Sequence, residues 1–266
     1  MLGKGLRVGL IGCGAIGSVV AGELSAGAVD GVALSGVLDP VVEHSLSVAN
    51  ISELIRSSDV VVEAAGHQAL RQYGEKVRES GTDLLVVSIG ALSDQALEAD
   101  LRQASGGRLY LCTGAIGGFD ILRAAMLLGQ LDEVRITSTK PAKVLKRSWM
   151  DKSLLDALDE ADDNAASVVV FEGTARQASA KFPESANVTA TLSLATLGFD
   201  EVKVTLIGDP AATGVRHLVT ATGAAGSYEL SFANVASSAN PRTSAVTAYS
   251  VLRALGDIRR PSVGFL

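Results

Sequence analysis

The first half of the chain alternates short apolar segments with longer segments in which apolar residues recur at helical spacing. The apolar segments predict buried strands at Leu6–Ile11, Val32–Leu38, Val60–Val62, Leu84–Val87 and Leu109–Leu111. The segments between them predict helices over residues 15–25, 51–57 and 67–80, and a further helix that begins at Ser93 as its N-cap. Because strand and helix alternate, we expect right-handed crossovers and a parallel sheet.

The pattern changes in the second half, where apolar and polar residues alternate. The alternating segments predict strands at Val134–Ser138, Glu201–Ile207, His217–Thr222 and Ser227–Ala233. Such alternation is typical of antiparallel strands with one face in water. The acidic segment Asp151–Asn164 is predicted to be a surface helix or loop, and Thr243–Leu255 a final helix.

Composition and charge limit the classes of function. Of the 266 residues, 47% are hydrophobic and 20% are charged, and the formal net charge is −6. This acidic balance argues against nucleic acid and anionic membranes as partners, because both need clustered positive charge. No apolar run reaches the ~18 residues that span a bilayer. With only Cys13 and Cys112, we expect no disulfide framework and no metal site, and we expect a cytoplasmic protein.

A glycine loop follows the first predicted strand directly and opens the first predicted helix. Gly12, Gly14 and Gly17, with Ala15 and Ile16 between the last two, fit the dinucleotide-binding spacing G-x-G-x-x-G. The first glycine permits a tight turn, the second lets a pyrophosphate approach the backbone, and the third lets helix and strand pack closely. The pattern alone is weak in a chain with 28 glycines, but its place between strand and helix makes it specific.

An acidic residue, Asp39, ends the second predicted strand. The fingerprint expects such a residue about 20 positions after the glycines, where it binds the ribose hydroxyls. A carboxylate there would repel a 2′-phosphate, and the next residue is Pro40 rather than an arginine. The sequence therefore predicts NAD as the cofactor, with NADP as the alternative.

These patterns predict an α/β protein with an N-terminal Rossmann dinucleotide-binding domain and a second α/β domain on a mixed or antiparallel sheet. We place the first domain at residues 1–117 and the catalytic, substrate-binding domain at residues 118–240. The helix within residues 241–266 is expected to pack back on the Rossmann domain. A homodimer is expected as the commonest assembly.

The chain has three histidines, His44, His67 and His217. His44 follows the second strand and is expected in a solvated loop. His67 follows the third strand, where it could line a cofactor cleft or simply start a helix. His217 on an alternating strand would, taken alone, more often be structural than catalytic.

Several motifs of the chain, taken in order, resemble those of the L-aspartate dehydrogenase family. They extend over nearly the whole length and are Ser88–Leu92, Thr113–Asp120, Lys140-Pro141, Phe171–Arg176, Asn187–Thr191, Leu197–Asp200, His217 ahead of Gly223 and Gly226, and Asn240–Ser244. The Phe-Glu-Gly-Thr-Ala-Arg and Asn-Pro-Arg-Thr-Ser segments are unusual enough to be specific.

The resemblance implies a Rossmann domain joined to an α/β catalytic domain, and oxidation of L-aspartate with NAD or NADP. The implied product is iminosuccinate, which yields oxaloacetate and ammonia or feeds NAD biosynthesis. By the motif match, Ala115 and Asn187 fall on cofactor-contacting positions of the family, and His217 falls on its catalytic histidine.

A dicarboxylate substrate also needs positive charge in its site. The candidates are Lys140, Arg176 and Arg242, of which Lys140 and Arg242 are the chosen substrate-binding residues. Arginine can bind a carboxylate through two hydrogen bonds, whereas lysine acts as a point charge. Lys140 is favoured because it ends a predicted strand of the second domain.

Two positions depart from the family pattern, and we expect both near the catalytic histidine. The family's asparagine two residues before that histidine is Val215 here, and an aromatic residue before the glycine at Gly226 is Ala225. These departures leave two alternatives open. One is a related dehydrogenase or imine reductase acting on another small amino dicarboxylate, and the other is a non-catalytic NAD-binding sensor.

Overall fold

The computed structural model describes residues 5–164, 166–183, 186–237, 240 and 243–259. The chain divides into two compact units. One comprises Met1–Gly114 with Thr247–Leu266, and the other is Ala115–Val246. Within the described ranges, none of the helices combines the length and apolar character needed to cross a membrane.

The first unit is built on a five-stranded parallel sheet with strand order β2-β1-β3-β4-β5. Its elements are β1 Leu6–Ile11, α1 Gly17–Ser25, β2 Val32–Leu38, α2 Ile51–Ser57, β3 Val60–Glu63, α3 His67–Glu79, β4 Asp83–Val86, a 3₁₀ helix Ile89–Ser93, α4 Gln95–Gln103 and β5 Leu109–Leu111. The predicted α/β fold with a parallel sheet is confirmed. β2 is added on one side of β1, whereas β3, β4 and β5 are added on the other side, so the strand order reverses between β1 and β3. In open α/β sheets, ligands bind at such a switch point.

The local sequence accounts for the burial of β3 and for the residue at which α4 begins. The central strand β3 buries Val60, Val61 and Val62 completely, as expected for a parallel strand covered on both faces. The predicted N-cap Ser93 is wrong, because that residue ends the 3₁₀ helix. Asp94 caps α4 instead, and its side chain accepts hydrogen bonds from two backbone N–H groups of the first turn.

The second unit is built on a five-stranded mixed sheet with strand order β10-β9-β6-β8-β7. Its elements are α5 Phe119–Leu128, β6 Leu131–Pro141, α6 Ala142–Leu145, α7 Lys152–Asn164, β7 Val168–Thr174, α8 Ala175–Lys181, α9 Asn187–Ala195, β8 Lys203–Asp209, β9 Gly214–Gly223 and β10 Gly226–Val235. Strand β6 runs parallel to β8, whereas the other neighbours are antiparallel. Sequence periodicity did not predict α5, β7, α8 or α9.

One face of this second sheet is buried. Along β6, the residues Val134, Ile136, Ser138 and Lys140 are buried, while Arg135 on the opposite face is exposed. The period of two predicted for a half-buried strand is therefore present. It places one polar and one charged side chain on the buried face, where they need partners.

The last helix, α10, spans Val246–Ile258 and starts three residues later than predicted. The chain from Thr247 onward belongs to the first unit. There the Tyr249 hydroxyl donates a hydrogen bond of 3.2 Å to Glu23 of α1, and the Ser250 Oγ lies 3.2 Å from the Cys112 Sγ.

Candidate active site

The glycine loop between β1 and α1 requires glycine at two positions for different reasons. Gly12 has a φ of +91°, and a Cβ there would lie 2.7 Å from the Cα of Ala65. A Cβ at Gly17 would collide with the carbonyl oxygen of Gly12. At Gly14, which is exposed, a Cβ would meet nothing within 4 Å. The space beside Gly14 is therefore open for a ligand to approach the backbone.

The start of α1 has backbone donors available for an anion. Its first hydrogen bond runs from the Ser18 N–H to the Gly14 oxygen, at 2.9 Å. Among the hydrogen bonds of the described residues, none uses the N–H of Ala15 or Ile16. Such donors at a helix N-terminus, with the helix dipole behind them, suit a phosphate.

Asp39, directly after β2, holds the glycine loop through its carboxylate. Oδ2 accepts a hydrogen bond of 2.7 Å from the Cys13 N–H, and Oδ1 accepts from the N–H groups of Val41 and Val42 at 2.8 and 2.9 Å. Burial raises the pKa of Asp39, but these three backbone bonds outweigh it, so the pKa is lowered. Oδ2 accepts only one of these three bonds, so it has acceptor capacity left for a ribose hydroxyl.

These features together fit a dinucleotide. The open space at Gly14 and the donors of α1 suit its diphosphate, and the ionised Asp39 suits a ribose hydroxyl at one side of it. The predicted cofactor residues Gly12, Gly14, Ala15, Ile16, Gly17 and Asp39 thus lie together at the carboxyl ends of β1 and β2.

In the second unit, His217 and Lys140 lie on the buried face of the mixed sheet. His217 on β9 is 2% exposed and Lys140 on β6 is 4% exposed. Desolvation by burial, and then the positive charge of Lys140, lower the pKa of His217 to about 3. The imidazole is therefore neutral at physiological pH.

Ser138 is a third polar residue on this face, and it was not predicted as a site residue from the sequence. It is the register partner of His217 across β6 and β9, and its Oγ lies 2.8 Å from the His217 Nδ1. Because Nδ1 is engaged by the serine, Nε2 is the ring nitrogen left for a reacting group. Only the pairing of the two strands reveals this contact, since the residues are 79 positions apart.

Ala115 and Asn187, the predicted cofactor contacts outside the glycine loop, both lie in the second unit. Ala115 is buried, and its carbonyl oxygen accepts a hydrogen bond of 2.8 Å from the Nδ2 of Asn234. Asn187 is the first residue of α9 and is partly exposed. Asn234, near the end of β10, was not predicted by the sequence, where it is one more polar residue of an alternating strand.

Of the two remaining cation candidates, the structure describes only Arg176. Arg176 is not available for a substrate carboxylate, because its Nε and Nη2 already bind the carboxylate of Asp200 at 2.7 and 2.8 Å. Its guanidinium also lies 5.5 Å from the centre of the Phe199 ring. Arg242, the other predicted substrate-binding residue, lies outside the described residues.

The other two histidines occupy the predicted elements. His44 lies in the loop after β2, and its Nδ1 accepts a hydrogen bond of 3.1 Å from the Leu46 N–H. His67 is the first residue of α3 and is partly exposed.

Of the two departures from the family pattern, the structure places only one beside the histidine. Val215 is 3% exposed and lies on the same buried face of β9 as His217. Ala225 lies in the turn between β9 and β10, and the expectation that it is near His217 is wrong. The strand from His217 to Gly223 separates them by roughly 20 Å, at about 3.3 Å per residue.

Glu63, the last residue of β3, is fully buried and was not predicted as a site residue from the sequence. Its carboxylate accepts hydrogen bonds from the turns that follow β3 and β4. The available signal was a carboxylate at the end of an otherwise all-valine strand, at the edge where open α/β sheets bind ligands.

Two family models match the chain, one in its N-terminal part and one in its C-terminal part. The model described as "Aspartate dehydrogenase, C-terminal" matches residues 120–258. The model described as "Homoserine dehydrogenase, NAD binding domain" matches residues 12–110, which include the glycine loop and Asp39.

Curated relatives match over nearly the full length of the chain. The L-aspartate dehydrogenase of Pseudomonas aeruginosa is 40% identical over 265 residues, which cover 95% of this chain and 97% of the relative. That of Methanocaldococcus jannaschii is 33% identical, with coverages of 96% and 98%.

A solved structure of an aspartate dehydrogenase also matches the chain over nearly its full length. The aspartate dehydrogenase of Thermotoga maritima has a TM-score of 0.75 and 27% identity, and the match covers 98% of this chain and 99% of that one. A hyperthermophilic archaeal homoserine dehydrogenase, with a TM-score of 0.57 and 9% identity, shares the fold alone. By its relatives, its family models and its fold, the chain belongs to the L-aspartate dehydrogenase family, whose members are NAD(P)-dependent oxidoreductases.

Proposed function

We propose that the protein oxidises L-aspartate to iminosuccinate, with NAD as the preferred cofactor and His217 as the catalytic acid–base. The observation that carries this proposal is the neutral, buried imidazole of His217 beside the ammonium group of Lys140 on one face of the second sheet. A base and a cation together suit a substrate that must lose an amino proton and carries carboxylates.

The dinucleotide is held by the first unit. The backbone donors at the start of α1 bind the diphosphate, Gly14 leaves it room, and Asp39 binds a ribose hydroxyl through Oδ2. The ionised Asp39 disfavours a 2′-phosphate, which supports NAD over NADP. Ala115 and Asn187 are proposed as further cofactor contacts, and when bound the nicotinamide supplies the acceptor for the hydride from the substrate Cα.

Lys140 is proposed to bind a substrate carboxylate, together with Arg242. Because Lys140 is buried, its attraction to a carboxylate is screened little by water. Binding of a carboxylate to Lys140 would also change the pKa of His217. A bound dicarboxylate offsets the positive charge that lowers the pKa of the imidazole, so Nε2 becomes a stronger base when substrate is present.

His217 then takes the proton that the substrate amino group loses. Ser138 fixes the ring through Nδ1, so that Nε2 is directed to the reacting nitrogen. The resulting iminosuccinate is hydrolysed to oxaloacetate and ammonia or consumed in NAD biosynthesis.

The proposal is tested by following aspartate-dependent NADH formation in the wild type, in His217→Asn and in the matched control His44→Asn. We expect turnover in the wild type and the control, and a loss of about 10²-fold or more in His217→Asn. Binding of NADH to His217→Asn should remain unchanged by calorimetry. A wild type that forms no NADH or NADPH from aspartate would contradict the proposal.

A second substrate, another small amino dicarboxylate, is favoured by one observation. Val215 places an apolar side chain two residues before His217 on the same buried face, where the family pattern has an asparagine. A panel of amino dicarboxylates decides between the two. A preference for aspartate of tenfold or more, about 1.4 kcal/mol, dismisses the second substrate.

We further propose a cytoplasmic homodimer. The thiols of Cys13 and Cys112 are both free, which suits a reducing compartment. Two exposed apolar residues of the second sheet, Val169 at 53% and Val235 at 78%, are candidates for an interface between subunits. Light scattering coupled to size-exclusion chromatography would test this, and a monomer at micromolar concentration would contradict it.

A further inference from the structure

One buried carboxylate joins two turns at the ligand-binding edge of the first sheet. Glu63 ends β3 and is 0% exposed. Its Oε1 accepts hydrogen bonds from the N–H groups of Ala65 and Gly66 at 2.9 and 2.8 Å, and from the Ser88 hydroxyl at 3.0 Å. Its Oε2 accepts from the Ser88 N–H at 3.1 Å.

All four of these groups donate hydrogen bonds to Glu63, so the site requires a side chain that only accepts hydrogen bonds. A carboxylate meets this requirement, whereas the isosteric amide of glutamine would place its NH₂ group against an N–H or O–H. Burial raises the pKa of Glu63, and the hydrogen bonds from Gly66, Ser88 and Ala65 oppose that rise. Burying a carboxylate costs free energy. This cost indicates that the positions of the two turns held by Glu63 are important for the protein.

The turn that Glu63 holds after β3 forms one wall of the glycine loop. The backbone of Ala65 lies so close to Gly12 that a Cβ on Gly12 would be 2.7 Å from the Ala65 Cα and 2.8 Å from its nitrogen. The next residue, Gly66, has a φ of +115° and is the N-cap of α3. A shift of this turn would therefore move the start of α3, on the β3 side of the glycine loop.

The strand order indicates which half of a bound dinucleotide would lie at these turns. In the order β2-β1-β3-β4-β5, Asp39 follows β2 on one side of the glycine loop, and the turns joined by Glu63 follow β3 and β4 on the other side. With Asp39 binding the adenosine ribose and the glycine loop binding the diphosphate, the other half of the dinucleotide extends over β3 and β4.

We propose that Glu63 is a positioning residue for the nicotinamide half of the cofactor, through the turns Ala65–Gly66 and Ser88. The proposal rests on the cofactor site of the proposed function but not on aspartate as the substrate. Glu63 does not touch the cofactor. It fixes backbone groups that do, and the adenosine half is bound by residues that Glu63 does not contact.

Two ligands separate the halves of the site, NADH and ADP, since ADP lacks the nicotinamide half. Their dissociation constants are measured by calorimetry for the wild type and for Glu63→Gln. We expect the variant to bind NADH at least tenfold more weakly and ADP within twofold of the wild type. The matched control is Glu75→Gln, the same change at an exposed position of α3, which should leave both constants unchanged.

Equal weakening of NADH and ADP would overturn the proposal, because it would show a general disturbance of the glycine loop. Unchanged binding of both would overturn it as well. If Glu63→Gln does not fold, Ser88→Ala removes only the hydroxyl bond to Oε1, and we expect about threefold weaker NADH binding with ADP unaffected. A wild type that binds NADH but does not oxidise aspartate overturns the proposed function and leaves this inference standing.

Discussion

The Oγ of Ser138 lies 2.8 Å from the Nδ1 of His217, and both side chains are almost fully buried. The two residues are direct register partners on β6 and β9, so the backbone hydrogen bonds of the sheet hold them at this distance. The serine therefore decides which ring nitrogen of the histidine is available for chemistry.

Ser138→Ala should lower kcat for aspartate about tenfold and leave NADH binding unchanged. Without the hydroxyl, the imidazole can rotate and its buried Nδ1 loses a partner, which costs about 1–3 kcal/mol of stability. Steady-state kinetics and chemical unfolding measure the two effects. Thr137→Ala, one residue earlier on the opposite face of β6, is the matched control and should retain wild-type kcat. A wild-type kcat in Ser138→Ala would contradict the role of the serine.

The pKa of His217 links stability to pH. With a folded pKa of about 3 against an ordinary value of 6.5, the unfolded chain takes up a proton between these values that the folded chain does not. Acidification from about pH 6.5 towards 3 therefore favours unfolding, whereas above pH 6.5 this group has no effect.

The variant His217→Asn lacks this proton uptake, so its free energy of unfolding should fall less steeply on acidification than that of the wild type. Urea unfolding at several pH values between about 7 and 4 measures both slopes. Parallel slopes below about pH 6.5 would show that the folded histidine titrates normally and is not buried as described.

Lys140→Gln should raise the KM for aspartate at least tenfold, about 1.4 kcal/mol, because a buried cation that faces the substrate carboxylate is lost. The dissociation constant for NADH should stay within twofold. The pKa of His217 should also rise, since the lysine charge contributes to its lowering. NMR titration of the imidazole gives this second readout.

The control for this variant is Lys203→Gln, the same change at an exposed position of β8. It should leave the KM for aspartate unchanged. If both variants raise the KM equally, the effect of Lys140 is a long-range charge effect and not a direct contact.

Asp39→Asn should reduce the preference for NAD over NADP. The amide keeps an oxygen for the Cys13 N–H but removes the charge that repels a 2′-phosphate. The ratio of kcat/KM for the two cofactors measures this change. Asp30→Asn, an exposed residue ahead of β2, should keep the wild-type ratio. A ratio unaffected by Asp39→Asn would mean that Asp39 serves only to hold the glycine loop.

Much of the first unit was predictable from the sequence. Strands β1, β2 and β5 and helix α2 have the predicted bounds, because their apolar residues are consecutive or follow a clear helical period. The N-cap of α4 was predicted one residue too early, since Ser93 and Asp94 are both good caps and only the preceding 3₁₀ helix decides between them.

The second unit was less predictable. Helix α9 and strand β7 were missed because short apolar runs do not distinguish helix from strand. The parallel pairing of β6 with β8 was also outside the reach of periodicity, since a period of two is the same for both pairing directions.

The amino-acid sequence by itself determined the parallel first sheet and the glycine loop with Asp39, because both depend on local spacing along the chain. It singled out His217 as a catalytic candidate only through the family resemblance. Only the tertiary structure decided that Ser138 binds His217, that Glu63 joins the turns after β3 and β4, that Arg176 is occupied by Asp200, and that Ala225 lies far from the histidine. Such facts follow from strand register and burial, which bring together residues that no local pattern connects.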